Sequence, residues 1–279
     1  MLPRGSDILL QVVKAPFVQL LSIHAFVHKD GNIKQEPLCF VYMLGRKRKD
    51  YTAVLRQVLD VLQSSPQVEQ LVSDSERALW KAAREVIVRA THRGCALHWG
   101  QAVWCKIAGV GLQSAYSSDE GTYRFCQQLL ALPYLPAQCI GSEFERIRRD
   151  ATTTKLQQLT DYVDNNWVSS SMWPPAAWTV YGQPIRTNND VEGWHYSLNR
   201  KASQSGLNKY LLFALLANET AMVAVSVKPL SDKKVRRTQK KGTASTEGRL
   251  KQYWAEYQTG TRSVPHLLKA CARMYAPAQ

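Results

Sequence analysis

Three acids stand where they could share one piece of chemistry. Asp7 begins a strand-like segment, Asp74 directly follows another, and Glu192 lies on a helix-like run at 186–201. If the two strands are neighbours, Asp7 and Asp74 meet at one sheet edge, and a helix laid across that edge adds Glu192. Converging carboxylates repel one another unless a cation neutralises them, and oxygen-only ligation favours Mg²⁺ or Mn²⁺. Two such ions about 4 Å apart activate a water or 3′-hydroxyl and stabilise the leaving oxygen in phosphodiester chemistry. The chain holds 22 acids, so spacing alone leaves capping and surface roles open for all three.

Other reactive side chains lie nearby in sequence. Cys95 and His98 form a CxxH pair, but structural zinc takes four ligands and no second such pair exists. The pair therefore reads as core or active-site support. His195 falls three residues after Glu192, on the same helix face, where it could steady a phosphate or tune the glutamate; a partly buried histidine bonded to a backbone carbonyl is an equal reading. Trp167, Trp173, Trp178 and Trp194 cluster late in the chain; such residues can stack on bases but are more often core. No phosphate-binding glycine loop or nucleophile elbow occurs, so a nucleotide cofactor and serine hydrolysis have no support.

The elements that must position these residues follow from periodicity. Residues 8–13, 17–27 and 37–44 read as strands on short turns, an antiparallel meander covered on both faces. Residues 50–62 switch to helical spacing, 68–72 form a short strand, and 75–88 are helical again. Residues 94–98 read as a fifth strand running into a helix. The order βββαβαβα predicts a mixed sheet with helices on both faces. Residues 111–181 carry no strand signal and are punctuated by prolines, which predicts an all-helical insertion. Helices return at 186–201 and 207–227, then a polar basic linker at 231–248 and a short helix at 250–257. The expected organisation is a core (1–110), an insertion (111–185), core helices (186–228) and a basic linker with terminal helix (229–279).

Composition narrows the partners. The chain is 45% hydrophobic and 21% charged, which is globular, and no apolar run approaches the 20 residues a bilayer requires. Six scattered cysteines without a CxxC pair predict reduced thiols. The net charge is +14, and half of it lies between Lys228 and Lys251, where Lys233, Lys234, Arg236, Arg237, Lys240 and Lys241 are concentrated. A second basic run is Arg46-Lys47-Arg48-Lys49. Both suit a polyanion, since phosphate contacts release condensed counterions; a solvated tail and a nuclear import signal are the other readings of such runs.

At these residues the chain resembles the transposase domain of Mutator-like elements, particularly the animal type associated with FLYWCH zinc fingers. The resemblance rests on Ala15-Pro16-Phe17-Val18-Gln19-Leu20-Leu21-Ser22-Ile23-His24-Ala25, on Val72-Ser73-Asp74-Ser75-Glu76-Arg77-Ala78-Leu79-Trp80, on Gly94-Cys95-Ala96-Leu97-His98-Trp99, and on Arg186-Thr187-Asn188-Asn189 through His195. These occur in the family's order across roughly 7–225. The resemblance implies an RNase H-like fold and a nuclear, DNA-binding enzyme that cleaves DNA and joins its 3′ ends to a target using two Mg²⁺ or Mn²⁺ ions. Asp7, Asp74 and Glu192 take the family's catalytic, metal-binding positions, and the 118 residues from Asp74 to Glu192 match a core interrupted by an insertion. Ile8-Leu9-Leu10 replaces the family's Gly-Thr-Phe, and little sequence precedes Asp7, so the expectation is an N-terminally truncated member. Pairing of two copies follows by analogy with other transposases. A catalytically inactive, DNA-binding or regulatory descendant is the alternative.

Overall fold

The computed structural model describes residues 13–29, 32–62, 66–183, 189–202, 208–231 and 241–275. Its first element is a long hairpin, β1 (Gln19–Lys29) and β2 (Asn32–Met43), paired antiparallel from Gln19 opposite Met43 to Lys29 opposite Asn32, with an irregularity after Ile23. A second, parallel pair joins β3 (Gln70–Ser73) to β4 (Thr91–Gly94). Among the described residues these are the two sheets, and the protein is mixed α/β and predominantly helical.

Alternation along β1 explains what covers the hairpin, because successive side chains leave opposite faces. Leu21 and Ile23 face α1 (Arg48–Val61) and α2 (Arg77–Val86), where Met43, Tyr51, Leu55, Ala82 and Ala83 form a buried cluster that Leu71 of β3 also touches. Leu20 faces the other way, into Leu198 and Ala202 of α9 (Asn189–Ala202) and Leu212 and Leu216 of α10 (Lys209–Ser231). The hairpin therefore lies between two helical layers, as its near-continuous apolar sequence predicts.

The largest core belongs to the middle of the chain. It begins with α3 (Ala96–Gly109) and continues through α4 (Gln113–Ser118), α5 (Glu120–Ala131), α6 (Ala137–Arg149), α7 (Thr154–Val163), a π-helical turn at Asp164–Val168, and α8 (Pro175–Trp178). Asp119 caps α5 by accepting from the Thr122 amide at 2.6 Å, and Thr153 caps α7 through Leu156 at 3.3 Å. Four tryptophans weld this core: Trp99 stacks on Trp178 at 4.4 Å, Trp167 meets Trp99 edge-on at 5.0 Å, and Trp173 tilts onto Trp167 at 5.6 Å. Three of the four tryptophans singled out in the sequence are thus buried packing residues, not base-stacking ones.

Several sequence expectations are corrected. The strand expected at 94–98 is Thr91–Gly94; Cys95 is the extended N-cap and Ala96, Leu97 and His98 are the first turn of α3. The apolar Cys-Ala-Leu triplet mimics a strand, while the actual strand is polar and held by its parallel ladder to β3. The polar linker expected at 231–248 is helical from Lys241: α11 spans Lys241–Gln258 and is followed by a second helix, α12 (Val264–Tyr275), which periodicity did not reveal. Leu250, Trp254, Leu267, Leu268 and Cys271 bury themselves in the tryptophan-rich core, and the Trp254 indole donates to the Tyr134 carbonyl at 3.0 Å. The terminal segment is therefore part of the helical region, not a tail. All six cysteines are free, as expected, and no helix of the described residues is long and apolar enough to cross a membrane.

Candidate active site

Asp74 follows directly on β3, where the strand stops and the chain turns toward α2. Two groups reach its backbone, and a third steadies one of them. The buried Trp80 indole donates to the Asp74 carbonyl at 2.7 Å, the Ser73 hydroxyl lies 3.0 Å from the same oxygen, and Ser73 also meets His92 Nε2 at 2.7 Å. His92 in turn stacks on Trp80 at 3.8 Å. The main chain at Asp74 is thus fixed while its carboxylate, half exposed, faces solvent.

Glu192 arrives from α9, more than a hundred residues later. His98, on the first turn of α3, stands between the two acids: its Nε2 is 3.5 Å from Asp74 Oδ1 and 3.5 Å from Glu192 Oε1. The two carboxylate oxygens consequently lie no more than about 7 Å apart. Burial pulls the His98 pKa down, but a hydrogen bond with Cys95 and the charges of Asp74 and Glu192 outweigh it and raise it to about 9. At neutral pH the imidazolium supplies the positive charge that the paired acids require. Cys95, the residue before α3, and His98, on its first turn, thus lie within hydrogen-bond reach of each other beside the two acids.

Of the two expectations for His195 the structure favours the buried one, with a serine hydroxyl in place of a backbone carbonyl as its partner. His195 shares α9 with Glu192, yet its ring turns toward β1 and is only 9% exposed. Its Nε2 lies 3.2 Å from Ser22 Oγ, and the same hydroxyl lies 3.0 Å from His24 Nε2. A serine has one proton to give, so it donates to one ring and accepts from the other, and the two imidazoles carry opposite tautomers. Burial lowers the His195 pKa to about 4, helped by His24 and His98, and burial lowers His24 to about 4 against the opposing pull of Glu36. Trp194 completes the brace, stacked on Phe40 at 5.1 Å, edge-on to His24 at 5.1 Å, and donating to Glu219 of α10 at 3.1 Å. His195 is therefore a positioning residue that ties α9 to the hairpin; a phosphate-facing role does not fit its burial. Ser22, His24 and Trp80 are the residues that sequence reasoning passed over as functional, because their partners lie on distant elements.

The remaining candidates divide. Asp7, Lys233, Lys234, Arg236, Arg237 and Lys240 lie outside the described residues, and Lys241 opens α11 with its side chain outside them. In the basic turn, Arg46 pairs with Glu76 at 3.1 Å and Arg48 with Glu85 at 2.6 Å, whereas Lys47 and Lys49 are exposed at the start of α1. Half of that run is thus committed to holding α1 against α2. Among the described residues no group of three or more His, Cys, Asp or Glu is arranged to hold a metal. Asp74 and Glu192 form a two-carboxylate, oxygen-only pair, a donor set that suits Mg²⁺ or Mn²⁺ once a third oxygen ligand joins it. In comparisons with known proteins, no family model and no curated protein sequence matches the chain.

Proposed function

We propose that the chain is a Mutator-like, RNase H-type nuclease and strand-transfer domain acting on DNA in the nucleus. The single observation that carries this reading is the convergence of Asp74 and Glu192, 118 positions apart, on His98 Nε2, each at 3.5 Å. A hairpin covered by helices on both faces and a parallel β3–β4 pair are parts that an RNase H-like core also contains, although among the described residues they form two separate sheets where one mixed sheet was expected.

In this mechanism Asp74 and Glu192 would hold the metal, together with Asp7, the third position implied by family resemblance. Divalent ions there would lower the pKa of a water or hydroxyl and stabilise charge at the leaving oxygen. His98 keeps the two acids apart and partly neutralised before substrate arrives. The Trp80 and Ser73 contacts hold the Asp74 backbone, and the Ser22, His24 and His195 brace fixes the face of α9 that presents Glu192. Lys47 and Lys49, exposed at the start of α1, and the basic residues between Lys233 and Lys241 are the candidate phosphate contacts of this reading.

The test is nicking of a supercoiled plasmid with Mg²⁺ or Mn²⁺. Asp74→Asn and Glu192→Gln are each expected to abolish cleavage while leaving the fold intact; wild-type-like cleavage by either variant would falsify the assignment. The second reading, an inactive DNA-binding descendant, is favoured by the +14 charge. It predicts salt-dependent DNA binding, with a log–log slope of about −0.9 per phosphate contact, in a protein that never nicks.

A further inference from the structure

One face of α9 is left to solvent, and Glu192 stands at its edge. At 100° per residue, the buried His195, Leu198 and Ala202 lie between about 240° and 300° around the axis from Glu192. Tyr196, Arg200 and Gly193 lie at about 40°, 80° and 100°, and all three are exposed. Glu192 sits at the border of the two faces, its side chain 19% exposed. Tyr196 is 67% exposed, in contrast to Trp167, Trp173 and Trp178, which are buried in the helical core.

Two features of this strip stand apart from packing. A tyrosine ring left in water forgoes the burial that such a ring ordinarily contributes. Gly193 stands inside the helix, where glycine is less favourable than alanine, yet a β-carbon added there would meet nothing within 4 Å. Helical side chains lean toward the N-terminus, so the Tyr196 ring inclines over the turn that holds Glu192 and Gly193. The bare backbone at Gly193 leaves room beside that ring for another molecule's backbone to approach closely.

We propose that Tyr196 is the stacking platform for an unpaired base of the DNA strand addressed by Asp74 and Glu192, with Gly193 admitting that strand's backbone and Arg200 contacting one of its phosphates. The identity of the strand rests on the DNA-cleaving reading above. Spacing suits it: Tyr196 is about 6 Å and Arg200 about 12 Å along the axis from Glu192, against roughly 3.4 Å between successive phosphates of one strand. Charge suits it too. Uncharged Tyr196 stands next to the acids, where a phosphate is repelled, and the cation stands two turns away. Lys201, the next cation on α9, is instead held by Glu219 at 2.5 Å. A paired base inside a duplex already has both faces covered, so the ring selects a base that is unpaired. Every base has a π-face, so it selects strandedness and not sequence.

The test uses the full chain in EDTA, where binding is read without cleavage, and a fluorescein-labelled oligonucleotide in single-stranded and fully paired forms. Tyr196→Leu, which keeps an apolar side chain without a π-face, should weaken single-strand binding about tenfold and duplex binding less than about twofold, while Tyr196→Phe matches wild type. Arg200→Ala should weaken both and flatten the single-strand log–log salt slope by about 0.7. Gly193→Leu should weaken single-strand binding while melting no lower than wild type, which a glycine needed for packing would not allow. A single strand carrying 5-iododeoxyuridine should photo-cross-link to Tyr196, identified by peptide mass spectrometry; this locates the contact independently of phosphate binding by the basic segment. The proposal requires both the cross-link and the selective loss in Tyr196→Leu, and the absence of either overturns it, as does a chain that binds neither form. Nicking is scored separately: a wild type that never nicks but meets both requirements refutes the nuclease reading and keeps the stacking contact. A wild type that nicks, with Tyr196→Leu unchanged in every readout, refutes the contact alone.

Discussion

Acid should unfold this protein through three histidines, and the slope can be worked out. His24, His92 and His195 are held neutral in the fold with pKa values of about 4, chiefly by burial, whereas an unfolded histidine titrates near 6.5. Between those values the unfolded chain binds more protons than the folded one, so stability rises with pH across the window and falls on acidification. Midway, near pH 5.2, each histidine differs by about 0.9 proton between the two states, or about 1.2 kcal/mol per pH unit. Together the three give about 3.6 kcal/mol per unit, a large fraction of a typical 5–15 kcal/mol total. Near the middle of this window His98 contributes almost nothing, being protonated in both states; above about pH 6 its contribution opposes that of the other three. The perturbation is His195→Gln, which removes the most deeply buried of the three rings. The assay is urea unfolding at half-unit steps from pH 4.5 to 7. Wild type should show the full slope and the variant about two thirds of it, whatever the variant costs at pH 7. An unchanged slope, or a His195 ring that titrates near 6.5 by NMR, would refute the reasoning.

Three further outcomes are expected. Above neutrality the sign reverses: His98 is raised to about 9, so the stabilisation it provides is complete below pH 6.5 and is lost as pH climbs through 9. Because the Asp74 carboxylate is half exposed and screened, that loss should be about 1–2 kcal/mol, absent in His98→Gln and measurable by denaturant midpoints at pH 6.5 and 9.5. Trp80→Phe should cost about 1–3 kcal/mol by leaving the Asp74 carbonyl without its indole donor, and Trp80→Ala about 3–5 kcal/mol by emptying a fully buried site, both read by thermal melts. Ser22→Ala leaves two buried imidazole nitrogens without their shared hydroxyl and should cost about 1–3 kcal/mol, with Ser22→Thr recovering most of it in the same denaturation assay.

Elements set by local pattern were legible in the residues. The hairpin around Lys29 and Asn32, helix α1, helix α2 and the helical run from 111 to 181 follow from apolar periodicity and from prolines, which act over a few residues. The site was legible only in part. Asp74 and Glu192 could be named because of where their segments begin, and Cys95 and His98 because of their spacing. That His98 would stand 3.5 Å from both acids could not be read, since it depends on how α3 and α9 meet beside β3.

Tertiary packing alone decided the rest. Whether Ala96–His98 extended a strand or began a helix was settled by the β3–β4 ladder ending at Gly94, not by the apolar character of the triplet. The residues after the basic linker read as one short terminal helix, yet Leu250, Trp254, Leu267 and Leu268 of two helices find a core 100 residues away in sequence. For His195 the sequence left a phosphate-facing role and a buried, hydrogen-bonded one equally open, and Ser22, 173 residues earlier, supplies the partner of the buried one. Residue type and spacing determine which groups can ionise, ligate or bury. Which of them do so depends on partners that only folding brings within hydrogen-bond distance, because desolvation and pairing act over a few ångströms of space rather than along the chain.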